Sequence, residues 1–276
     1  MQSPEMIAEY VAKKGGTAFV KDLRRAGIGS DALKVAISSG VLKSVHRGLV
    51  GTANADANLR TAMTAGGLLT CVSAARELGL WTMKDPTQLH LWTDHGRQPV
   101  TVIKHRGRLV NAGRWGYVGS VDCVLHAIRC RPRLEALVIA ESAVRLGRVS
   151  KEELVDLLPG PRNSFRRQLV QDIGDDADSP LEVIARDLFR VAGLHVETQV
   201  RIRGLGRVDM VVEGRLIIEL DGFDFHWDRA AFLKDRRRNN AGILSGMPTL
   251  RYVYEDLVFA PERVVAEVMT MLRRSA

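Results

Sequence analysis

The sequence predicts a multidomain chain of mixed α+β and α/β character, and three features carry that expectation. Short amphipathic helices closed by glycines open the chain, a middle segment mixes strand-like and helix-like runs, and two apolar runs near the C-terminus are punctuated by carboxylates. A length of 276 residues suits two or three domains and can bury more than one core.

Residues 4–14 place Ile7, Tyr10 and Val11 at helical spacing and stop at Gly15-Gly16. A second helix is expected from Thr17 to Ala26, closed by Gly27, and a third from Asp31 to Ser39, capped by Ser30 and ended by Gly40. Val41 to Val50 then alternates like a two-stranded wing. Three short helices and a basic hairpin make residues 1–52 a winged helix-turn-helix, whose third helix would enter the major groove of DNA. Lys34, Ser38, Lys43, His46 and Arg47 are the expected nucleic-acid contacts, and the alternative is that they form the wet face of a small bundle.

Residues 53–170 read as an α+β middle domain. Leu89–Trp92 and Val100–Arg106 are strand-like, Val121–Ala127, Leu134–Leu146 and Lys151–Leu158 are helix-like, and Lys104, Arg106 and Arg108 make the end of the second strand basic. Pro159-Gly160-Pro161 breaks the helical pattern and an acidic stretch follows from Asp172 to Asp178, so the next domain is expected to span 171–276. Cys71, Cys123 and Cys130 have no C-x-x-C spacing and cannot build a disulfide framework. Cys123 and Cys130, seven apart on one helix, read as buried core thiols.

The net charge of +8 is unevenly spread, with +4 in residues 1–52, +7 in 53–170 and −3 in 171–276. Affinity for a polyanion such as DNA should therefore reside in the first two segments, while the third gathers carboxylates that a metal could neutralise. No run approaches the 18 or so apolar residues of a membrane span, and Met1-Gln2-Ser3-Pro4-Glu5 lacks the start of a signal peptide, so a cytoplasmic protein without a membrane partner is expected.

The most informative stretch is Gly206-Arg207-Val208-Asp209-Met210-Val211-Val212, then Arg215 to Gly222 with Glu219 and Asp221, then Phe223-Asp224-Phe225-His226. An ionised carboxylate at the edge of buried strands is costly unless a cation meets it, and a hard divalent ion such as Mg2+ or Mn2+ is the simplest one. Glu213-Gly214 marks the turn. An odd-length loop with a left-handed glycine pairs odd positions with odd, setting Asp209 and Glu219 on one face, whereas a two-residue loop would separate them. The plainer alternative is that Glu219 and Asp221 mark a strand leaving the core, since structural ion pairs gather the same groups.

Ser179-Pro180-Leu181-Glu182, Gly193-Leu194, Gln199, Val208-Asp209, Glu219-Leu220-Asp221-Gly222, His226, Asp235, Arg238, Gly246 and Arg251 form an ordered set. That set resembles a domain of unknown function related to very-short-patch repair endonucleases, within the PD-(D/E)XK nuclease superfamily. The resemblance covers residues 171–276 and implies a restriction-endonuclease-like fold and Mg2+-dependent phosphodiester hydrolysis. It implies that Asp209 and Glu219 hold the metal and that His226 assists the attacking water. Asp221 stands where many members have lysine, and the absence of cysteine after residue 170 departs from the repair enzymes' cysteine-rich zinc site, so mismatch repair is not carried over.

Three further features admit two readings each. Ser179, Pro180 and Glu182 form a capping box, and the resemblance adds that Glu182 reaches toward the metal. His226 beside Trp227 is either a proton acceptor or a surface histidine. Lys234-Asp235-Arg236-Arg237-Arg238, in an expected helix, is either a solvated face or a holder of the DNA backbone through Asp235 and Arg238, with Arg251 a second such candidate.

The N-terminal region, with Leu68 to Trp81, is similar to the AbiEi-type antitoxins of type IV toxin and antitoxin systems. The expected function is a metal-dependent DNA endonuclease targeted by its N-terminal domain, with defence against foreign DNA suggested by the resemblance. The alternatives are a non-enzymatic transcriptional regulator of the antitoxin type and a nuclease acting on RNA. A toxin partner or a homodimer is the further partner expectation.

Overall fold

The computed structural model describes residues 3–94, 101–111, 113, 115–221 and 247–274, and the chain divides into two compact units, Met1–Val170 and Gln171–Ala276. Both mix helices with small sheets. No helix among the described residues is long and apolar enough to cross a membrane.

The first unit opens with α1 (Pro4–Ala12), whose first turn is closed by the Ser3 side chain accepting from Met6 N, with proline at the first helical position where no amide donor is needed. Strand β1 (Thr17–Phe19), α2 (Val20–Arg25), α3 (Ser30–Ser38), β2 (Lys43–His46) and β3 (Leu49–Gly51) follow. The helix expected to start at Thr17 starts at Val20 instead. Thr17–Phe19 pairs antiparallel with Leu49–Gly51, and β2 flanks β3 on the other side, giving the order β1-β3-β2. Ser30 is the first residue of α3 and Gly29 its cap. Ile7, Val11, Leu23, Ile28, Leu33 and Leu42 meet in one apolar cluster beneath this sheet and its helices.

The same unit continues through α4 (Ala57–Thr64), β4 (Leu68–Leu69), α5 (Cys71–Ala75), β5 (Leu89–Trp92) and β6 (Val102–His105). Strand β5 lies between β4, antiparallel, and β6, parallel. Helices α6 (Ser120–Cys130), α7 (Arg133–Arg145), α8 (Lys151–Asp156) and α9 (Ser164–Gln171) complete the segment. Cys71 and Cys123 are buried, whereas Cys130 is only half-buried, so the core reading does not extend to it.

The second unit sets α10 (Pro180–Val191) against a sheet of β7 (Val196–Ile202), β8 (Gly206–Val212), β9 (Leu216–Asp221) and β10 (Thr249–Val253), in the order β10-β9-β8-β7. The first three strands form an antiparallel meander and β10 runs parallel to β9. Helices α11 (Tyr254–Phe259) and α12 (Pro261–Arg274) follow, with α12 packed on β9. Val208, Val211 and Ile217 hold the sheet's apolar cluster, joined by Val200, Ile202 and Met247.

Candidate functional site

The register of the hairpin decides which carboxylates meet. Val212 pairs with Leu216, Val211 with Ile217 and Met210 with Ile218, so the connection is the three-residue loop 213–215. Glu213 and Gly214 both take left-handed conformations there, at φ of 53° and 64°, a geometry that glycine adopts without penalty. Continuing that register by one residue sets Asp209 opposite Glu219. The Leu220 amide, 2.9 Å away, donates to Asp209 Oδ2 and fixes the carboxylate at the strand edge. Glu219 is buried, while Asp209 and Asp221 are half-buried.

Helix α10 brings the third carboxylate. Its buried stripe includes Glu182, Ala185, Arg186 and Phe189, so two charged side chains occupy positions that helical spacing assigns to the core. Ser179 Oγ accepts from the Glu182 amide at 3.2 Å, the cap expected of this motif. The Glu182 carboxylate in turn accepts from Ser179 Oγ at 3.0 Å, from the Asp178 amide at 3.0 Å and from Gln199 Nε2 at 2.7 Å. Burial pushes this carboxyl above its ordinary range, the three donors pull it back, and the neighbouring Asp209 carboxylate pushes it further up. Glu182 thus closes the helix and also lies within electrostatic reach of Asp209.

Gln199 lies opposite Asp209 in the β7–β8 register, at a point where the ladder is interrupted: Thr198 pairs with Met210 and Val200 with Val208, while Gln199 itself is left-handed at φ 54°. Left-handed non-glycine residues are uncommon and mark locally imposed conformations. Its amide nitrogen serves Glu182, and its Oε1 is buried without a hydrogen-bond partner. The sequence contains Gln199 within the family-like set but carries no local sign of this role, because the strand distortion that aims it exists only once β7 meets β8.

The remaining residues of the expected site separate into two groups. Arg251 on β10 stands in parallel register beside Glu219, and Val253 beside Asp221, so Arg251 shares the sheet face of the acidic pair. His226, Asp235 and Arg238 lie outside the described residues.

In the first unit, the expected nucleic-acid contacts Lys34, Ser38, Lys43, His46 and Arg47 are all exposed. Lys34 forms a surface ion pair with Asp31 at 3.1 Å and Ser38 Oγ donates to the Val35 carbonyl at 3.1 Å. Lys43 and His46 begin and end β2, and Arg47 sits on the turn that Gly48 closes. Lys104, Arg106 and Arg108 are exposed as well.

No protein-family model matches the chain, and a comparison with curated proteins finds no significant match.

Proposed function

We propose that the chain is a metal-dependent DNA endonuclease in which the second unit is a PD-(D/E)XK-like nuclease domain and the first fifty or so residues are a winged helix-turn-helix that docks on DNA. The observation that carries this reading is the placement of Asp209 opposite Glu219, with Glu182 and Gln199 converging from the neighbouring helix and strand. All four offer oxygen donors, and the unpartnered buried Oε1 of Gln199 is what a hard cation would satisfy. On this reading Asp209 and Glu219 would be the chief ligands of a Mg2+ or Mn2+ ion.

When bound, such an ion supplies Lewis acidity for phosphodiester hydrolysis, activating the attacking water and offsetting the charge that grows on the phosphate. The protein's own contribution is orientation. Leu220 N fixes Asp209, while Ser179, Asp178 and Gln199 fix Glu182, so neither carboxylate must reorganise as the substrate enters. Arg251, in register beside Glu219, is proposed to meet a phosphate of the DNA backbone. His226 is proposed to accept the proton of the attacking water, and Asp235 and Arg238 to hold the DNA backbone, on the strength of the family resemblance.

Docking by the first unit rests on the exposed set of Lys34, Ser38, Lys43, His46 and Arg47, presented by one helix and the hairpin after it. Asp221, at a position where a lysine is common in this superfamily, favours as second reading a DNA-binding regulator of the antitoxin type that keeps the domain without cutting. Incubating the purified chain with plasmid, linear duplex, single-stranded DNA and RNA, with and without Mg2+ or Mn2+, separates these readings. Metal-dependent cleavage of DNA, abolished by Asp209→Ala and by Glu219→Ala with duplex binding retained, is expected. Undiminished cleavage by the Asp209 variant would sink the metal assignment, duplex binding without cleavage would select the regulator, and cleavage confined to RNA would change the substrate.

A further inference from the structure

A second group of metal-ligating side chains lies in the first unit, apart from the acidic site. Cys71, His90, His105 and Cys130 each offer one ligand atom, and these four atoms all lie within 4.8 Å of one another. His90 Nδ1 is 3.1 Å from His105 Nε2 and 3.6 Å from Cys130 Sγ. A tetrahedral zinc ion with its usual bond lengths to nitrogen and sulfur requires ligand separations of about 3.3 Å between two nitrogens and about 3.8 Å between two sulfurs. The four side chains are thus already close to the spacing that such an ion would impose.

The backbone converges on this point from four elements. Cys71 sits at the corner between β4 and α5, in a left-handed conformation at φ 52° that a non-glycine residue rarely takes. His90 on β5 pairs with Ile103 of β6, so His105, two residues farther along β6, projects from the same sheet face. Cys130 ends α6, one turn beyond His126 and two turns beyond Cys123 on the same helix side. Three of the four ligands are almost fully buried, at 0% exposure for Cys71, 1% for His90 and 7% for His105.

Neighbouring groups hold the imidazoles in place. The His126 ring stacks on His105 with centroids 4.7 Å apart, and its Nδ1 lies 2.7 Å from Thr70 Oγ1. Cys123 Sγ donates to the Cys71 carbonyl at 3.2 Å and is not among the four. Both rings lie buried, and an imidazole coordinates metal in its neutral form.

We infer that Cys71, His90, His105 and Cys130 form a structural zinc site that pins the β4–α5 corner, β5, β6 and the end of α6 together. Two thiolates and two imidazoles suit zinc and not Mg2+, and four protein ligands close the tetrahedron without leaving a position for substrate. Binding releases the two thiol protons, one from Cys71 and one from Cys130, and the resulting Zn(S)2(N)2 centre is neutral, which suits its burial. The ion would brace a small sheet whose strands are two, four and four residues long.

The test is the metal content of the tag-free full chain, purified under reducing conditions without chelator. Stoichiometric zinc is expected in the wild type and in Cys123→Ala, and its loss in Cys71→Ser and in His105→Ala. Because loss of a ligand can also unfold the unit, the chain is reloaded with Co2+, whose visible and thiolate charge-transfer bands report tetrahedral sulfur and nitrogen coordination. Cys130→His, which keeps four ligands, should retain cobalt with weakened thiolate bands. Absence of zinc from the folded wild type, failure of the reduced chain to take up Co2+, or a Cys71–Cys130 disulfide as the stable purified form would each overturn the inference.

Discussion

Gln199 Nε2 donates to Glu182 across 2.7 Å, and the same side chain leaves its Oε1 buried without a partner. One amide therefore orients a carboxylate with its donor end and presents an acceptor with the other, on a strand residue held left-handed opposite Asp209. A buried acceptor without a partner costs free energy on the order of 1–3 kcal/mol, so the arrangement is stabilised if a cation completes it.

Gln199→Ala removes both functions. Metal-dependent cleavage should fall by about 10–100-fold with a matching increase in the Mg2+ concentration needed for half-maximal rate, as loss of a group that orients a ligand does elsewhere. Stability without metal should change little, because the lost hydrogen bond is offset by removal of the unpaired acceptor. An unchanged Mg2+ dependence would return Gln199 to a packing role.

Arg186 is buried on α10, with its guanidinium lying over the backbone of Gly174 and within 3.7 Å of Asp176. A Cβ at residue 174 would come within 2.0 Å of Arg186 Nη1. Gly174→Ala should thus destabilise the second unit by about 1–3 kcal/mol, read from chemical denaturation, because a buried guanidinium cannot shift without leaving its partners. A variant as stable as the wild type would mean that the Arg186 side chain has room to move.

If a cation binds beside Glu182, its effect on stability should depend on pH. Its carboxyl is held above the ordinary range, so the folded state binds this proton more tightly than the unfolded chain. That contribution is fully present below the unfolded value of about 4.3 and is lost as pH rises through the folded value. A cation that compensates the ionised form should then raise the melting midpoint more at about pH 8 than at about pH 5, and Glu182→Gln should reduce the difference. Equal stabilisation by Mg2+ at both pH values would count against Glu182 facing the ion.

Duplex binding should weaken steeply with salt, since Lys and Arg contacts to phosphate release counterions. Changing Lys34, Lys43 and Arg47 together to alanine should lower the slope of log affinity against log salt by up to about one unit for each phosphate no longer neutralised. The three side chains are exposed, so the fold should survive the change. An unaltered slope would move the DNA-binding surface elsewhere, with Lys104, Arg106 and Arg108 the next basic group to test.

Local chemistry alone determined much of this protein. The Ser179-Pro180-x-Glu182 cap, the glycine stops after α1 and α3 and the Glu213-Gly214 turn each depend on neighbours within a few residues, so periodicity and turn preference expose them in the chain, whereas the alternation expected over 41–50 is not seen in the burial of β2 and β3. The pairing of Asp209 with Glu219 follows from loop length, which the chain alone leaves open between odd and two-residue forms and the structure sets at three residues. Other features depend on partners distant in sequence. Thr17–Phe19 looks like a helix start and becomes a strand because Leu49–Gly51 offers it a ladder. Gln199 acquires its aim from a break in the ladder opposite Asp209. The Cys71, His90, His105 and Cys130 group has no spacing motif to betray it, since its members reach one point only when β5 pairs with β6 and α6 packs beside them. Tertiary structure alone decides such a site, for a ligand set needs atoms a few ångströms apart in space while the chain supplies them tens of residues apart.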